Sequence, residues 1–489
     1  MIRRILPTFG VTLITFGMTF MLPLVISIIG DEGAGHAFWP ALLIAAFSGL
    51  ILVSPAIIAR EMPSLMPRDG MLLVALCWTL LPALAALPLI DYFQAAGKPI
   101  SWSFAYFEAV SGLTTTGATV ITGLDDLPYA INFWRCFLQW IGGMGILILA
   151  VAILPLVSAG AGSIFKAEST GPLKEAKLTP RIAETAKGLW GVYAAISLAC
   201  FFAYWAAGMS FGDAWLHMFS TMSLGGLSSH DSSFGFFNSP TLEWIAIFFM
   251  LIASGSFALY FVALHKRKVL IVFKDPEWWG TLTLLLGSSL LITVLLLLRG
   301  VYSDPWEALR AATFSTVSIG STTGYATVDY TTWPIFAPVL ILMLSGVATS
   351  AGSTGAGIKM ARLIILIKQT RREVMRMLHP RAVNPLMING EPVANGVIFA
   401  ALAFMLVYGG TILVLTGLLL LTDMPLDTAF SAVIATVNNA GPGLNEIGPA
   451  GNYSGLTALQ LNICSAAMIL GRLEMMSILA IFTVEFWRE

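Results

Sequence analysis

The chain has 489 residues, of which 57% are hydrophobic and only 11% charged. A soluble globular domain carries about 25% charged residues, so this composition excludes an ordinary water-soluble protein and places most of the chain in lipid. The formal net charge of −1 points to no polyionic partner such as a nucleic acid; the position of each charge is more informative than the total.

In chain order, Arg3 and Arg4 precede an apolar run from Thr8 to Ile29. That beginning resembles a signal peptide, but the run is of spanning length and no small-residue cleavage site follows it, so it reads as a retained first helix. Further uncharged runs of spanning length occupy 38–59, 70–90, 136–157, 189–212, 244–264, 278–298, 334–358 and 396–422. A last run, about 456–486, is interrupted only by Arg472, Glu474 and Glu485. Ten spanning helices are therefore predicted. The basic residues fall in the termini and in alternate connections: Arg60 and Arg68, then 166–187, 265–274 and 368–381, and finally Arg488. Only Lys98, Arg135, Arg299 and Arg310 are left for the other side, which predicts cytoplasmic termini at both ends.

Between these runs lie four segments that are neither spans nor ordinary polar loops: SFAYFEAVSGLTTTGATV (103–120), DAWLHMFSTMSLGGLSS (213–229), PWEALRAATFSTVSIGSTTG (305–324) and PLDTAFSAVIATVNNAGPG (425–443). Each opens as a helix too short to cross a bilayer and turns into small and hydroxyl residues around a glycine, as a half-helix that enters and returns as extended backbone would. Setting Gly117, Gly225, Gly320 and Gly441 in register places a polar residue two positions earlier every time: Thr115, Ser223, Ser318 and Asn439. The expected architecture is thus an all-α polytopic membrane protein. It has two N-terminal transmembrane helices (1–65) and four pseudo-fourfold, potassium-channel-like helix–pore loop–helix repeats at 66–160, 161–270, 271–385 and 386–489.

Non-helical backbone is tolerated at membrane depth only when it is buried in protein or lines a water-filled path. Four such segments around one axis would form a ring of carbonyl oxygens able to replace the hydration shell of a cation. Glycine permits the backbone conformations such a ring needs, and the C-terminal ends of the short helices favour positive charge. The expected ring residues are Thr115, Thr116 and Gly117; Ser223, Leu224 and Gly225; Ser318, Ile319 and Gly320; and Asn439, Ala440 and Gly441. The alternative for any one glycine is close helix packing. Asp125, Asp126, Asp231, Asp329 and Glu446 follow the glycines either as a cation-concentrating outer mouth or as plain solvated loop acids.

Two further features lie within spans. The run from Pro334 breaks at SGVATSAGSTGAGIK, with Gly346, Gly352, Gly355 and Gly357 ahead of Lys359. Each interior helix glycine costs about 1 kcal/mol relative to alanine, so the segment is predicted to be irregular, as a movable obstruction or a plain kink. It superficially resembles a phosphate-binding loop, but it lacks the G-K-[ST] ending and follows no strand. Arg472, a charge inside a span, is expected either to face the pore or to form a structural salt bridge, with Glu474 as neighbour. Cys77, Cys136, Cys200 and Cys464 sit in apolar stretches and read as small core side chains. The five histidines are scattered, which argues against a membrane-embedded enzyme.

The motifs TTTGAT (114–119), SLGGL (223–227), STVSIGSTTGY (315–325), NNAGPG (438–443), GSTGAGIK (352–359) and GRLEMM (471–476) resemble the membrane subunit of the Trk/Ktr/HKT superfamily of potassium transporters, specifically its bacterial TrkH/TrkG branch. The resemblance covers nearly the whole chain, and the two extra N-terminal helices suit that branch. It implies a K+ filter built on the four glycines, with Gly117 where some sodium-permeable plant members carry serine. It also implies an intramembrane gate at 346–357 and a gate-facing arginine at Arg472. It further implies a location in the bacterial inner membrane, a homodimer, and a cytoplasmic nucleotide-binding regulatory subunit of the TrkA type, with the basic loops as docking surface. No catalytic residue, organic cofactor or nucleic acid is expected. A sodium-permeable or sodium/potassium-cotransporting member of the same superfamily is the rival reading.

Overall fold

In the computed structural model the described residues are 1–60, 65–152, 182–381, 384–388 and 390–488. The described residues are mostly helical, and the one sheet among them is a two-stranded antiparallel ribbon, Met387–Ile388 against Glu391–Pro392. Four short helices, Trp102–Leu113, Phe211–Met222, Pro305–Gly320 and Leu426–Val437, occupy the four re-entrant segments. At 1.5 Å per residue a 12-residue helix reaches about 18 Å, well short of a bilayer core of about 30 Å. The first three start where a side chain caps the free amides: Ser101 accepts from Phe104 N at 3.3 Å, Ser210 from Asp213 N at 3.0 Å, and Asp304 from Trp306 N at 3.2 Å and Glu307 N at 3.3 Å.

Two further helices flank each short one. They are Pro67–Ala85 and Tyr129–Ala152, Ile182–Ala206 and Pro240–Ser254, Pro276–Leu298 and Phe336–Leu344, and Asn395–Leu420 and Ala458–Arg472. The second flanking helix of every repeat also packs on the next short helix: Tyr129–Ala152 on Phe211–Met222, Pro240–Ser254 on Pro305–Gly320, Phe336–Leu344 on Leu426–Val437, and Ala458–Arg472 back on Trp102–Leu113. The last contact closes the circle, so four quasi-equivalent repeats surround one axis.

The N-terminal helices lie outside this ring, against the first repeat. Phe16, Phe20 and Phe38 surround Trp134, whose indole N–H donates to the Ala85 carbonyl at 3.0 Å. Ile2–Thr19 crosses Phe38–Ala59 where Gly10 and Gly49 face each other. A Cβ on either would come within 2.7 Å of the other's carbonyl oxygen.

The ten spans read from the sequence, the eighth of them expected to be irregular, are not all single helices. Among the described residues six helices are long and apolar enough to cross a membrane, or seven if one bent pair counts as a single span. That pair, Pro240–Ser254 and Phe257–His265, bends by 86° at Gly255–Ser256. The expected span 334–358 is helical only to Leu344 and resumes at Met360, and 456–486 stops at Arg472 and restarts at Met476. Both breaks carry left-handed residues, Gly352, Gly357 and Lys359 in one and Glu474 and Met475 in the other, which no continuous helix accommodates. The four cysteines are free, three of them buried. Lys166, Lys174, Lys177 and Arg181, the division at 160/161 and the end of the expected span 136–157 lie outside the described residues.

The Gly10–Gly49 crossing yields a stability test. Gly49→Leu overpacks the contact and should lower stability by about 1–3 kcal/mol, read as a lower thermal midpoint in detergent, while transport selectivity stays as it is. A midpoint equal to that of the parent would show that the two helices do not rely on this approach.

Candidate functional site

The short helices all end the same way. The first terminates at Leu113. Thr115 then turns left-handed (φ 55°) and donates to the Gly112 carbonyl at 3.1 Å, while Thr116 donates back to Ser111 at 2.8 Å. Leu224 (φ 54°) and Gly225 repeat this onto Thr221 and Ser220, Thr322 (φ 66°) and Thr323 onto Ile319 and Ser318, and Asn439 (φ 51°) and Ala440 onto Thr436 and Ala435. This is the Schellman closure. A left-handed threonine or leucine is strained by roughly 1–3 kcal/mol and persists only where its surroundings hold it.

After each closure comes a glycine with positive φ: Gly117 (83°), Gly226 (75°), Gly324 (92°) and Gly441 (83°). A Cβ on Gly117 would strike the carbonyl oxygen of Gly225, and one on Gly226 that of Thr323. On Gly324 it would come within 2.6 Å of Ala440 O, and on Gly441 within 2.7 Å of Thr116 O. Each glycine thus abuts the residue before the glycine of the next loop, four times round, and no side chain fits between. The four loops form one closed backbone ring.

The ring revises the predicted register. Gly117 and Gly441 stand where expected. Gly226, not Gly225, takes the left-handed position of the second loop, because the left-handed count runs from the helix end. Gly320 is the last residue of the third short helix, with Ser318 and Ile319 inside it. The third loop's ring residues are therefore Thr322, Thr323 and Gly324. That helix is one turn longer than the others, 16 residues against 12, so alignment on its first glycine falls four residues short. Ser223 is the helix-capping residue and Leu224 the left-handed one.

Thr115, Leu224, Thr322 and Asn439 are buried, and no main-chain N–H among the described residues reaches their carbonyl oxygens. A buried carbonyl without a donor costs free energy, so these oxygens suit a ligand that supplies positive charge. The short helices direct their partially negative ends to the same place.

Side chains hold the ring from behind. Gln139 donates to the Gly225 carbonyl at 2.5 Å and accepts from Leu227 N at 3.1 Å. Tyr453 donates to Gly441 O at 2.8 Å, and Tyr325 to His217 O at 3.1 Å. Asn439 reaches Thr116 Oγ1 at 2.8 Å, joining the fourth loop to the first. Glu108 and Arg135 form an ion pair at 2.8 Å, both nearly fully buried. Sequence reasoning passed over Gln139, Glu108 and Arg135, although an acid inside FAYFEAV and an arginine beside a span are available signals of buried pairing.

The glycine-rich segment lies against the helix ends of the ring. Thr354 donates to Met222 O at 3.2 Å, Asn438 to Ser345 Oγ at 3.1 Å, and a Cβ on Gly355 would come within 3.1 Å of Thr322 Oγ1. Gly346 O accepts from Ile358 N at 2.6 Å, which folds the segment back on itself. Lys359 is buried and donates to Gly355 O. Arg472 is buried and donates to Thr354 O at 2.8 Å and Gly142 O at 3.3 Å. Glu474 does not neutralise Arg472. The helix break turns its carboxylate to Arg362, 2.7 Å away.

At the outer loops Asp231 accepts from Gly123 N and Leu124 N, each at 3.1 Å, and Asp329 from Thr331 N at 3.0 Å, so both acids fix turns. Asp126 and Glu446 are exposed. Asp125 pairs with His230, which also meets Asp213 at 3.2 Å and lies flat on Phe236. His217 and His230, from the second short helix and the loop that follows it, stack 6.2 Å apart. Burial alone would lower the His230 pKa, but the hydrogen bonds and charges of Asp213 and Asp125 outweigh it and raise the pKa above the usual histidine range. The protonated form is therefore favoured by folding, and its stabilisation is complete below about pH 6.5 and lost as pH rises through the raised value. The thermal midpoint should fall between pH 6 and 9 more steeply in the parent than in His230→Gln; parallel profiles would show that the contacts of His230 with Asp125 and Asp213 do not stabilise the fold.

The family model described as TrkH, a cation transport protein, matches residues 50–488. The chain is 42% identical over 488 residues to the Trk system potassium uptake protein TrkH of Halomonas elongata, covering all of both chains. It is 39% identical over 487 residues to the protein of that name from Escherichia coli K12, covering 100% of this chain and 99% of the relative. The crystal structure of the potassium transporter TrkH from Vibrio parahaemolyticus superposes with a TM-score of 0.90 at 39% identity over the whole of both chains.

Proposed function

The chain belongs to the TrkH family of cation transport proteins, and from that membership we propose that it takes potassium ions into a bacterial cell through the ring formed by its four re-entrant loops. One observation carries this reading: four buried, strained residues present carbonyl oxygens that no main-chain donor meets, in a ring whose glycines leave no room for a side chain. A dehydrated cation replaces its water ligands with such oxygens. The left-handed strain is held by the Schellman closures and their braces, so the oxygens are in place before the ion arrives.

The ion ligands in this reading are the main-chain oxygens of Thr115, Leu224, Thr322 and Asn439, while Thr116, Gly117, Gly225, Gly226, Thr323, Gly324, Ala440 and Gly441 complete the ring, with Gly225 O and Gly441 O held by Gln139 and Tyr453. Residues 345–359 act as the gate, and Arg472 fastens it through Thr354 O. The same buried cation sets an electrostatic barrier while the segment is closed. K+ is the cargo, and the chain acts as a transporter without covalent chemistry.

The division into an N-terminal pair of helices and four repeats, the inner-membrane location and the cytoplasmic termini belong to the same proposal. So do a homodimeric assembly and a nucleotide-binding TrkA-type subunit at the basic connections 265–274 and 368–381. Support for the docking side comes from the helix Met360–Leu378, which leads directly out of the gate segment and carries Lys368, Arg371, Arg372 and Arg376.

Rubidium uptake into proteoliposomes with sodium as competitor tests the ring. Gly324→Ser adds a Cβ against Ala440 O at a left-handed position and should raise sodium competition about tenfold, or 1.4 kcal/mol, within the usual cost of such strain. Gly320→Ser meets the movable Leu285 side chain and should leave the ratio alone. Equal behaviour of the two variants would refute the register. Deleting 350–357 should raise basal flux; a protein as quiet as the parent would refute the gate.

A further inference from the structure

Glu108 lies in the first short helix and Arg135 in the helix that follows its loop, and their side chains meet where the loop leaves the ring. Taking both charges out of water is expensive, and apolar replacements of such pairs are often as stable, so stability alone is a weak reason for the pair. Its hydrogen bonds supply a better one. Glu108 accepts from Val120 N at 3.0 Å and from the Thr119 hydroxyl at 3.0 Å, besides Arg135 Nε at 2.8 Å. Arg135 Nη2 donates to Thr119 Oγ1 at 3.1 Å, and Nη1 donates to the carbonyl of Ser228 and to Asn132 Oδ1, each at 3.1 Å.

Thr119 is two residues beyond Gly117, and Ser228 is two residues beyond Gly226. The guanidinium fork therefore grips equivalent positions of two neighbouring loops, with the Glu108 carboxylate fixing its orientation. The equivalent positions of the other loops are held by neutral bonds. Ala326 N donates to Ser233 Oγ at 3.2 Å and Ala326 O accepts from Gly235 N at 3.0 Å, while Gly443 N donates to Ile447 O at 2.8 Å.

We propose that Glu108 and Arg135 are positioning residues for selectivity: the pair sets the spacing between the first and second loops on their way out of the ring, and hence the fit of the carbonyl ring to the ion. This rests on the ring being the filter. Another ion pair, Arg310 with Glu243 at 3.2 Å, joins the third short helix to Pro240–Ser254 and serves as the control, since among the described residues it makes no bond to an outgoing loop.

Rubidium uptake with sodium as competitor is measured for E108Q, R135K and R310Q, alongside the thermal midpoint of each purified protein. E108Q and R135K should each raise sodium competition at least about fivefold, because neither keeps both the charge and the fork. R310Q should lower the midpoint without moving the ratio. If E108Q does not reach the membrane, the charge-free pair E108Q/R135Q, which leaves no lone buried charge, carries the same expectation. Transport at the parental ratio by E108Q and R135K overturns the proposal, as does loss of every variant of the pair from the membrane, which would make the pair a folding element alone. A parent protein that itself does not discriminate against sodium would instead overturn the filter reading.

Discussion

The constraint on which this structure depends is that main-chain amides and carbonyls brought into an apolar slab must be accounted for. A continuous helix meets it within itself. A helix that stops halfway cannot, and here it stops four times. Each stop is closed by the same two main-chain bonds, which force a non-glycine residue into the left-handed region and turn the chain back. The closure uses up the amides after the helix end and leaves the carbonyls of the left-handed residues without main-chain partners. In the proposed reading, the cation site is what remains of the hydrogen-bond accounting once the helix end has been satisfied.

The geometry after the closure follows from the same step. Once the chain has turned, the next residue but one passes so close to the neighbouring loop that a Cβ would overlap its carbonyl. Glycine is required there by contact as well as by φ, and the two requirements coincide at Gly117, Gly226, Gly324 and Gly441. Closure of the ring therefore depends on all four repeats at once.

Composition, hydrophobic runs and the recurring short helix with its small-residue tail were enough to read the architecture from the sequence. Register was not. In SLGGL two adjacent glycines satisfy the pattern, and in STVSIGSTTG two glycines lie one helical turn apart. Choosing between them needs the position of the helix end, and helix propensity does not distinguish a helix stopping at Thr316 from one running on to Gly320. The first left-handed position carries no glycine signal at all, since Thr115, Leu224, Thr322 and Asn439 take it. Buried partners were hidden for a related reason. Glu108 and Arg135 are 27 residues apart, and Glu474, two residues from Arg472, is turned away by a helix break. Sequence proximity is a poor guide to pairing wherever the chain reverses at membrane depth.

The four repeats share a closure and differ in everything that supports it. The first and second loops are tied by a buried ion pair and Gln139, and the fourth is tied by Tyr453 to the first through Thr119 O at 2.9 Å. The third is tied by Tyr325 to the second short helix and has the glycine-rich segment against Thr322. A ring of identical carbonyls needs symmetry only in its backbone, and the Schellman bonds supply that. The side chains behind it are free to diverge, because each needs only to stop its own loop from relaxing. That division lets one side of the ring be tied by an ion pair while the other adjoins the glycine-rich segment. In the proposed reading the gate belongs to the third repeat, because the break in its helix brings the glycine-rich segment against Thr322 and the helix ends of the ring.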